Sequence, residues 1–279
     1  MHRTSGLPAA HRWLMGGASL ALAATMVACG SDDSGGGEDT TAAETSASEE
    51  SADPAEFCQA AVDVEAAFGT SPDIDFETAP PEEIQAALEE FGATVDPLLA
   101  RAEETAPEEI AGDVETAASL ARDAITTGDT AALDGPEFQE ADAAMDEYML
   151  AECGYEQVEA VGVDFAYEGI PGSVPAGTTA LTFTNEGEEL HEIGLARIND
   201  DVTISVEELL ALPEEQAMTM VTFTGGAFAE PGAADTTFLE LEPGRYAAVC
   251  FIPEGTTHDT EGSGPPHFAL GMLAEFTVE

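Results

Sequence analysis

The stretch Val249–Met272, VCFIPEGTTHDTEGSGPPHFALGM, contains a cysteine at Cys250, followed by His258, His267 and Met272. A thiol outside the cytoplasm is normally oxidised to a disulfide unless another group holds it. The groups that could hold Cys250 are therefore the first question that the sequence raises.

The N terminus predicts export. Arg3 and Arg12 flank the start of an apolar run that ends in small residues, a pattern typical of a secretory signal and too short to span a membrane. The residues Met26–Cys29 resemble a bacterial lipobox. We therefore expect residues 1–28 to be a lipoprotein signal peptide, with a lipidated Cys29 that anchors the protein to the outer face of the cell membrane. The alternative is ordinary cleavage nearby, which leaves Cys29 as a stray thiol.

Composition divides the remaining chain into three segments. Residues 29–54 are Gly, Ser, Thr, Ala and acidic residues, which cannot bury enough surface to order themselves, so we predict a disordered tether. Residues 55–155 are rich in Ala and Glu, without the short alternating runs that follow. From residue 158 onward Gly, Pro, Thr and Phe dominate. We predict two folded domains with a boundary near residues 154–158.

The chain is strongly acidic. It has 57 acidic residues against 6 arginines, contains no lysine, and carries a formal net charge of −51. Loss of Arg3 and Arg12 with the signal peptide leaves 57 acidic residues against 4 arginines, or −53. Such a surface repels phosphate backbones and excludes nucleic acid as a partner. A solvated surface suited to salt explains this charge; attraction of metal cations or a cationic partner is compatible with it.

The first folded segment predicts four amphipathic helices and therefore an all-α helical bundle. The first helix ends at Gly69, the second begins near Pro81, the third follows Pro107 and the fourth begins at Pro136. Pro97 should kink the second helix or end it early. Cysteine positions add a constraint. A disulfide between Cys58 and Cys153, at opposite ends of this segment, is the pairing we expect, and it would leave Cys250 without a partner.

The second folded segment predicts short strands that build an all-β sandwich. Alternating residues from Val161 to Tyr167 read as one strand, and five further strands are predicted by residues 178–184, 193–198, 218–223, 236–241 and 245–251, with a closing strand at 273–278. Residues 205–216 predict a short helical insertion.

Two stretches of this segment resemble cupredoxins, the small blue-copper proteins such as plastocyanin. VPAGTTALTFTNEGEELHEIGL resembles the strand in which an Asn-x-Gly turn leads into a histidine. LEPGRYAAVCFIPEG, followed by PPHFALGMLAEFTVE, resembles the copper loop, where a strand ends in Cys and is followed by His, Met and a closing strand. The resemblance implies that residues 158–279 form a Greek-key cupredoxin-like sandwich; it does not extend to the helical segment.

The resemblance also implies a ligand set for one type 1 copper ion. Its ligands would be His191, Cys250 and His267 in a trigonal plane, with Met272 as the axial ligand. Copper would then hold Cys250 as a thiolate. His258 competes with His267 for the second imidazole position; His267 is favoured by the stiff Pro-Pro before it and the methionine after it.

Three features depart from the pattern of the family. Sixteen residues separate Cys250 from His267, where a shorter loop is usual. Glu192 follows the first histidine where many members have Asn, so the bond that ties the two ligand loops together would be absent or replaced. Phe251 follows the cysteine where a hydroxyl residue is often found.

These observations predict an exported electron-transfer protein with one blue-copper site. Met272 would fill the position that an oxidase or reductase needs open for a substrate, so we expect no enzyme. A redox protein, favourably a cationic one, would be the partner and would approach the histidine loop near Pro266 and His267. The alternatives are an envelope protein that binds or stores copper, and a copper-free sandwich that serves as an interaction module.

Overall fold

The computed structural model describes residues 54–70, 74, 76, 78–257 and 260–279. The predicted signal peptide, the lipidated Cys29 and nearly all of the tether lie outside the described residues. None of the described helices is long and apolar enough to cross a membrane. The helices are α1 (Pro54–Phe68), α2 (Pro81–Thr105), α3 (Ala111–Thr127), α4 (Pro136–Glu152), α5 (Val206–Leu210), α6 (Glu214–Met218) and α7 (His267–Leu270).

The strands all follow α4. They are β1 (Glu156–Val163), β2 (Ala166–Glu168), β3 (Ser173–Val174), β4 (Gly177–Asn185), β5 (His191–Ile198), β6 (Val221–Ala229), β7 (Ala234–Leu241), β8 (Gly244–Val249) and β9 (Leu273–Val278). The chain therefore has an all-α region followed by an all-β region, as the sequence predicts.

The four long helices pack in sequence, each against the next. The apolar faces of α2 and α3 meet in a cluster of Val95, Leu99, Ala118, Ala121 and Ile125, against which residues of α1 pack. The predicted disulfide between Cys58 and Cys153 is present and joins the start of α1 to the end of α4, with a Cα separation of 5.7 Å. It closes the helical region at the point where the chain enters β1.

Helix α2 does not end at Pro97, as one reading of the sequence predicted. The helix continues for eight residues beyond it, to Thr105. Pro97 is exposed, while Val95 and Leu99 on the opposite face are buried against the neighbouring helices. Burial of these side chains offsets the hydrogen bond lost at the proline, which costs about 3 kcal/mol in a helix interior.

The β region is a two-layer sandwich. One sheet has the strand order β2-β1-β4-β7 and the other the order β3-β9-β8-β5-β6. Large side chains from both sheets fill the space between them, among them Phe183, Ile193, Tyr246 and Phe276. The insertion predicted at residues 205–216 forms α5 and α6, and the strand predicted at 218–223 is shifted to β6.

The prediction of a single strand from Val161 to Tyr167 is wrong. The chain reverses at Asp164 and Phe165, so that Val161 pairs with Glu168 across a hairpin. Phe165 has a φ of 62°, a left-handed conformation that a bulky residue rarely adopts. Its ring contacts the ring of His267 with a centroid separation of 5.0 Å, and this packing accompanies the unfavourable backbone angle.

Helix α1 packs against the outer face of the first sheet, on strands β4 and β7. Ala180 and Phe238, which are paired across these strands, are buried in the same cluster as Phe57 and Tyr148 of the helices. Glu65 of α1 accepts hydrogen bonds from the Thr237 hydroxyl and the Phe238 N–H. The helix thus covers β7, a strand that lies at the edge of its sheet.

Acidic side chains cluster at this contact. Burial raises the pKa of Glu65 to about 8 and that of Asp235, on β7, to about 7. Burial, followed by the nearby charges of Asp142 and Glu65, raises the pKa of Asp146, on α4, to about 9. Part of this interface is therefore uncharged near neutral pH.

All four arginines of the described residues are paired with carboxylates. Arg122 contacts Asp96 and Glu103, and the other three pair with Asp63, Asp200 and Glu275.

Candidate metal centre

Three buried side chains meet at one end of the sandwich. His191 opens β5, Cys250 follows the last residue of β8, and His267 opens α7. Each is 0% exposed. His191 Nδ1 lies 3.0 Å from His267 Nδ1, and Cys250 Sγ lies 3.4 Å from the same His267 atom. One donor atom from each residue lies within 4.8 Å of the others, and these residues are the one such group in the described part of the chain.

Met272 lies beside this group. It is 0% exposed and belongs to the same apolar cluster as Cys250. Its N–H donates to the His267 carbonyl at 3.0 Å, and its carbonyl accepts from the Cys250 N–H at 3.2 Å. A glycine makes room for the side chain, because a Cβ at Gly162 would lie 3.1 Å from Met272 Cε and 2.7 Å from Phe183 Cζ.

Strand pairing brings the residues together. β8 lies between β5 and β9, with Val249 opposite Gly194 on one side and Leu273 on the other. Cys250 and Met272, each one residue outside this last pair, are therefore neighbours.

The turn before His191 is fixed by Asn185, which is fully buried. Its side chain accepts from the Gly187 N–H and donates to the carbonyls of Glu189 and Ala229, each at 2.8 Å. A Cβ at Gly187 would lie only 2.6 Å from His191 Nε2. The Asn-x-Gly pattern thus positions the histidine by specific contacts.

The long segment between Cys250 and His267 is closed at its base. The His267 N–H donates to the Ile252 carbonyl and the Phe268 N–H to the Cys250 carbonyl, both at 2.9 Å. One step further out, the Glu254 N–H donates to the Pro265 carbonyl at 2.9 Å. The cysteine and the histidine are therefore held next to each other although sixteen residues separate them.

A β-sandwich with His, Cys, His and Met in this order and place is the arrangement that the sequence resemblance predicts. The C-terminal domain is cupredoxin-like. The structure places His267 in the cluster, whereas the competing His258 lies outside the described residues.

Comparison with solved structures finds similar cupredoxins. A reduced auracyanin from Roseiflexus castenholzii is 25% identical, over 45% of this chain and 99% of its own, with a TM-score of 0.30. Auracyanin A, a blue copper protein from Chloroflexus aurantiacus, is 17% identical, over 45% of this chain and 100% of its own, with a TM-score of 0.28. Rusticyanin from Thiobacillus ferrooxidans is 19% identical, over 44% and 76%, with a TM-score of 0.29. No family model and no curated protein matches the chain.

Glu192 replaces the link that an Asn would make in this cupredoxin-like domain. Its Oε1 accepts from the Phe251 N–H at 2.8 Å, which joins the strand of His191 to the segment of Cys250. The Glu192 carbonyl accepts from the Tyr167 hydroxyl at 2.5 Å. Phe251, the other departure, packs its ring edge-on against Phe268 at a centroid separation of 5.4 Å.

The outer nitrogens of both histidines face carboxylates. His267 Nε2 lies 3.2 Å from Glu189 Oε2, and His191 Nε2 lies 3.6 Å from Asp164 Oδ1. The contact with Glu189 favours, for His267, the tautomer that carries its proton on the outer nitrogen, whereas His191 Nε2 has no hydrogen-bond partner among the described residues. The two Nδ1 atoms face each other at 3.0 Å, an arrangement that a cation between them would stabilise.

The ring of His267 is buried, although a redox partner is expected to approach the loop near it. Glu189 and the ring of Phe165 cover it, and the side chain is 0% exposed. Sequence reasoning missed both Asp164 and Glu189 as parts of the site. Glu189 lies two residues before His191, but among 57 acidic residues this spacing gave no distinct signal.

The protonation states suit a site that exchanges protons for a metal. Burial, followed by the nearby charge of Glu192, raises the pKa of the Cys250 thiol to about 12. Burial, followed by the charge of His267, lowers the pKa of His191. Cys250 is therefore a neutral thiol near pH 7 without a metal, and it must lose its proton to become a ligand.

The donor set fits copper. The three donor atoms lie within 4.8 Å of one another, so the three residues could hold one metal ion. Two imidazoles, one thiolate and a weak thioether are the donors typical of blue-copper sites.

Proposed function

We propose that the protein is an electron carrier that binds one type 1 copper ion through His191, Cys250, His267 and Met272. The observation that carries the proposal is the convergence of two Nδ1 atoms and one Sγ at 3.0 and 3.4 Å in a fully buried pocket, with a carboxylate behind each imidazole. When bound, copper would supply a one-electron couple between Cu(II) and Cu(I).

The residues of the chain would hold the same geometry in both oxidation states. His191, His267, Cys250 and Met272 would hold the ion, and two imidazoles, one thiolate and a weak thioether are donors that suit copper. The turn held by Asn185 and the closed base of the loop restrict movement of the ligands. Little rearrangement is then needed when one electron arrives from a donor protein and leaves to an acceptor.

Burial of all four side chains supports electron transfer over substrate chemistry. A catalytic metal site keeps one position open to substrate or water. Here Met272 would occupy that position, and the four side chains are closed to solvent. We therefore propose a carrier and not an enzyme.

We also propose that the protein works outside the cytoplasm, anchored by a lipidated Cys29. The disulfide between Cys58 and Cys153 supports an oxidising compartment, and the lipobox resemblance of Met26–Cys29 supports the anchor. The acidic excess and the pairing of every described arginine support a cationic redox partner.

A copper titration of the purified mature protein tests the proposal. An intense visible band from thiolate-to-copper charge transfer is expected at one equivalent. Cys250→Ser should abolish the band, and His258→Ala, the matched change of a histidine in the same loop, should retain it. Copper uptake without the band would favour a storage protein, and no uptake would favour an interaction module; either result contradicts the electron carrier.

A further inference from the structure

The hairpin turn next to the metal centre carries a phenylalanine where the backbone favours glycine. Val163 pairs with Ala166, so Asp164 and Phe165 form a two-residue turn between β1 and β2. Turns of this length prefer Asn-Gly or Asp-Gly, because they need left-handed residues. Phe165 has a φ of 62° and is the one described residue other than glycine with a positive φ. A bulky side chain kept in such a conformation points to a function of that side chain.

The ring of Phe165 covers one of the proposed ligands. It meets the ring of His267 edge-on, with a centroid separation of 5.0 Å. His267 is fully buried whereas Phe165 is partly exposed, so the phenyl ring separates the imidazole from solvent on this side. The carbonyl of Phe165 lies against Gly271, where an added Cβ would be 3.2 Å from it. We refer to Asp164 and Phe165 as the hairpin tip.

The other sides of the metal centre are closed by groups of contacts. The turn before His191 is held by the three hydrogen bonds of the buried Asn185 side chain. The segment between Cys250 and His267 is closed by backbone hydrogen bonds at its base. Met272 packs in the apolar cluster between the two sheets. Opening the centre on any of these sides would break buried hydrogen bonds or core packing, and both are costly to lose.

The hairpin tip is held by fewer contacts. Strand β2 lies at the edge of its sheet and pairs only with β1. Asp164 Oδ1 accepts from the Glu188 N–H at 2.9 Å, but this bond is exposed, and water can replace it at little cost. The left-handed backbone of Phe165 opposes the closed position. Tyr167 is bonded to the Glu192 carbonyl, so the tip can move while the strands below it stay in place.

We infer that the hairpin tip is the gate through which a metal ion enters and leaves the centre, and that Phe165 is the residue that closes it. The same ring covers the empty and the filled site. Its removal should therefore speed binding and release alike and leave the dissociation constant nearly unchanged. A residue that positioned His267 would instead change release and the dissociation constant together. The inference rests on the metal site of the proposed function and is independent of electron transfer.

Two variants open the gate without straining the turn. Phe165→Gly and Phe165→Asn remove the ring, and both residues tolerate the left-handed backbone. The matched control is Phe223→Asn, the same change at a phenylalanine on β6 that is 48% exposed. Relief of the backbone strain offsets the lost ring contact, so the midpoint of urea unfolding of the metal-free gate variants should stay close to that of the wild type. Faster metal exchange that accompanies a large fall of this midpoint would indicate general loosening and would overturn the inference.

The rates are measured with Zn(II), which is redox-inert, by stopped-flow spectroscopy. Release is followed as transfer of zinc to an excess of a chromophoric chelator, and binding as the competition of the metal-free protein with that chelator. Both rates should rise about tenfold in the gate variants, the scale expected from the loss of an edge-to-face aromatic pair. The control should exchange zinc as the wild type does. Unchanged rates, or faster release with weaker binding, would contradict a gate at Phe165.

The outcomes separate the gate from the electron carrier. If copper binds without the thiolate band, the electron carrier fails, while the zinc rates still decide the gate. If the band is present and the zinc rates of the gate variants equal those of the wild type, the gate fails and the electron carrier stands. Binding of neither zinc nor copper by the wild type would overturn both.

Discussion

Replacing Gly187 with alanine should weaken metal binding by moving His191. A Cβ at this position would lie 2.6 Å from His191 Nε2 and 2.7 Å from Asp164 Oδ1, whereas ordinary contacts begin at 3.4 Å. The ring must therefore move by about 0.8 Å, or the turn must distort by a similar amount. In the metal-free protein the ring can yield, but in the metal-bound protein it must lie where its Nδ1 meets the ion.

The cost of this clash therefore falls mainly on the bound state. Overpacking of a filled interior costs about 1–3 kcal/mol, and each 1.4 kcal/mol is a factor of ten in affinity. We expect Gly187→Ala to bind Zn(II) about ten- to a hundredfold more weakly, measured by competition with a chromophoric chelator. The unfolding temperature of the metal-free variant should change much less than its affinity.

The matched control is Gly172→Ala in the same domain. A Cβ at Gly172 meets nothing within 4 Å, and the residue is exposed. This variant should bind zinc as the wild type does. Wild-type affinity in Gly187→Ala, or an equal loss in Gly172→Ala, would show that the contact with His191 does not position the ligand.

Three further outcomes are expected. Replacing Cys58 and Cys153 together with alanine should lower the free energy of unfolding by about 4–5 kcal/mol, because a disulfide across 95 residues restricts the unfolded chain. An unchanged midpoint of urea unfolding would contradict this. Because the pKa of Glu65 is raised to about 8, the free energy of unfolding of the wild type should be greatest below about pH 4.5 and fall by a few kcal/mol as the pH rises through 8. Urea unfolding at several pH values measures this dependence, and Glu65→Gln should flatten it. A free energy of unfolding that rises with pH would contradict the prediction. Because the pKa of Cys250 is about 12 and that of His191 is lowered, zinc affinity should rise about tenfold per pH unit between pH 7 and 9 in buffered titrations, and a flat profile would argue against a thiolate ligand.

The long elements could be predicted from periodicity alone. The apolar positions of α1, α3 and α4 recur at helical spacing, and the ends lie close to the predicted Gly and Pro residues. The prediction that Pro97 could end α2 early was wrong because the free-energy cost of a proline in the helix is smaller than the stabilisation gained by burying Val95 and Leu99. Only the folded bundle supplies that burial.

The hairpin at Phe165 could not be predicted from local sequence. A turn with a left-handed residue usually carries Gly or Asn, and here it carries a phenylalanine. The ring of this residue contacts His267, about a hundred positions further along the chain. A conformation that depends on so distant a contact leaves no periodic signal in the sequence.

The ligand set followed from family resemblance, whereas its surroundings did not. Glu192 and the sixteen-residue spacing were noted in the sequence as departures from the pattern of the family. Glu192 makes a link of its own to Phe251, and backbone hydrogen bonds bring Cys250 and His267 together regardless of what lies between them. Such contacts depend on three-dimensional proximity that spacing alone does not encode.

Because the segment between Cys250 and His267 is closed at its base by backbone hydrogen bonds, the length of the segment does not determine how rigidly these two residues are held. Peptide added beyond the bond from Glu254 to Pro265 would extend outward from a fixed pair of ends, at an entropic cost that grows only slowly with length. The site should therefore accept grafted epitopes, affinity tags or reporter sequences there without loss of metal affinity. The segment offers an attachment point next to the candidate metal centre that can be engineered independently of it.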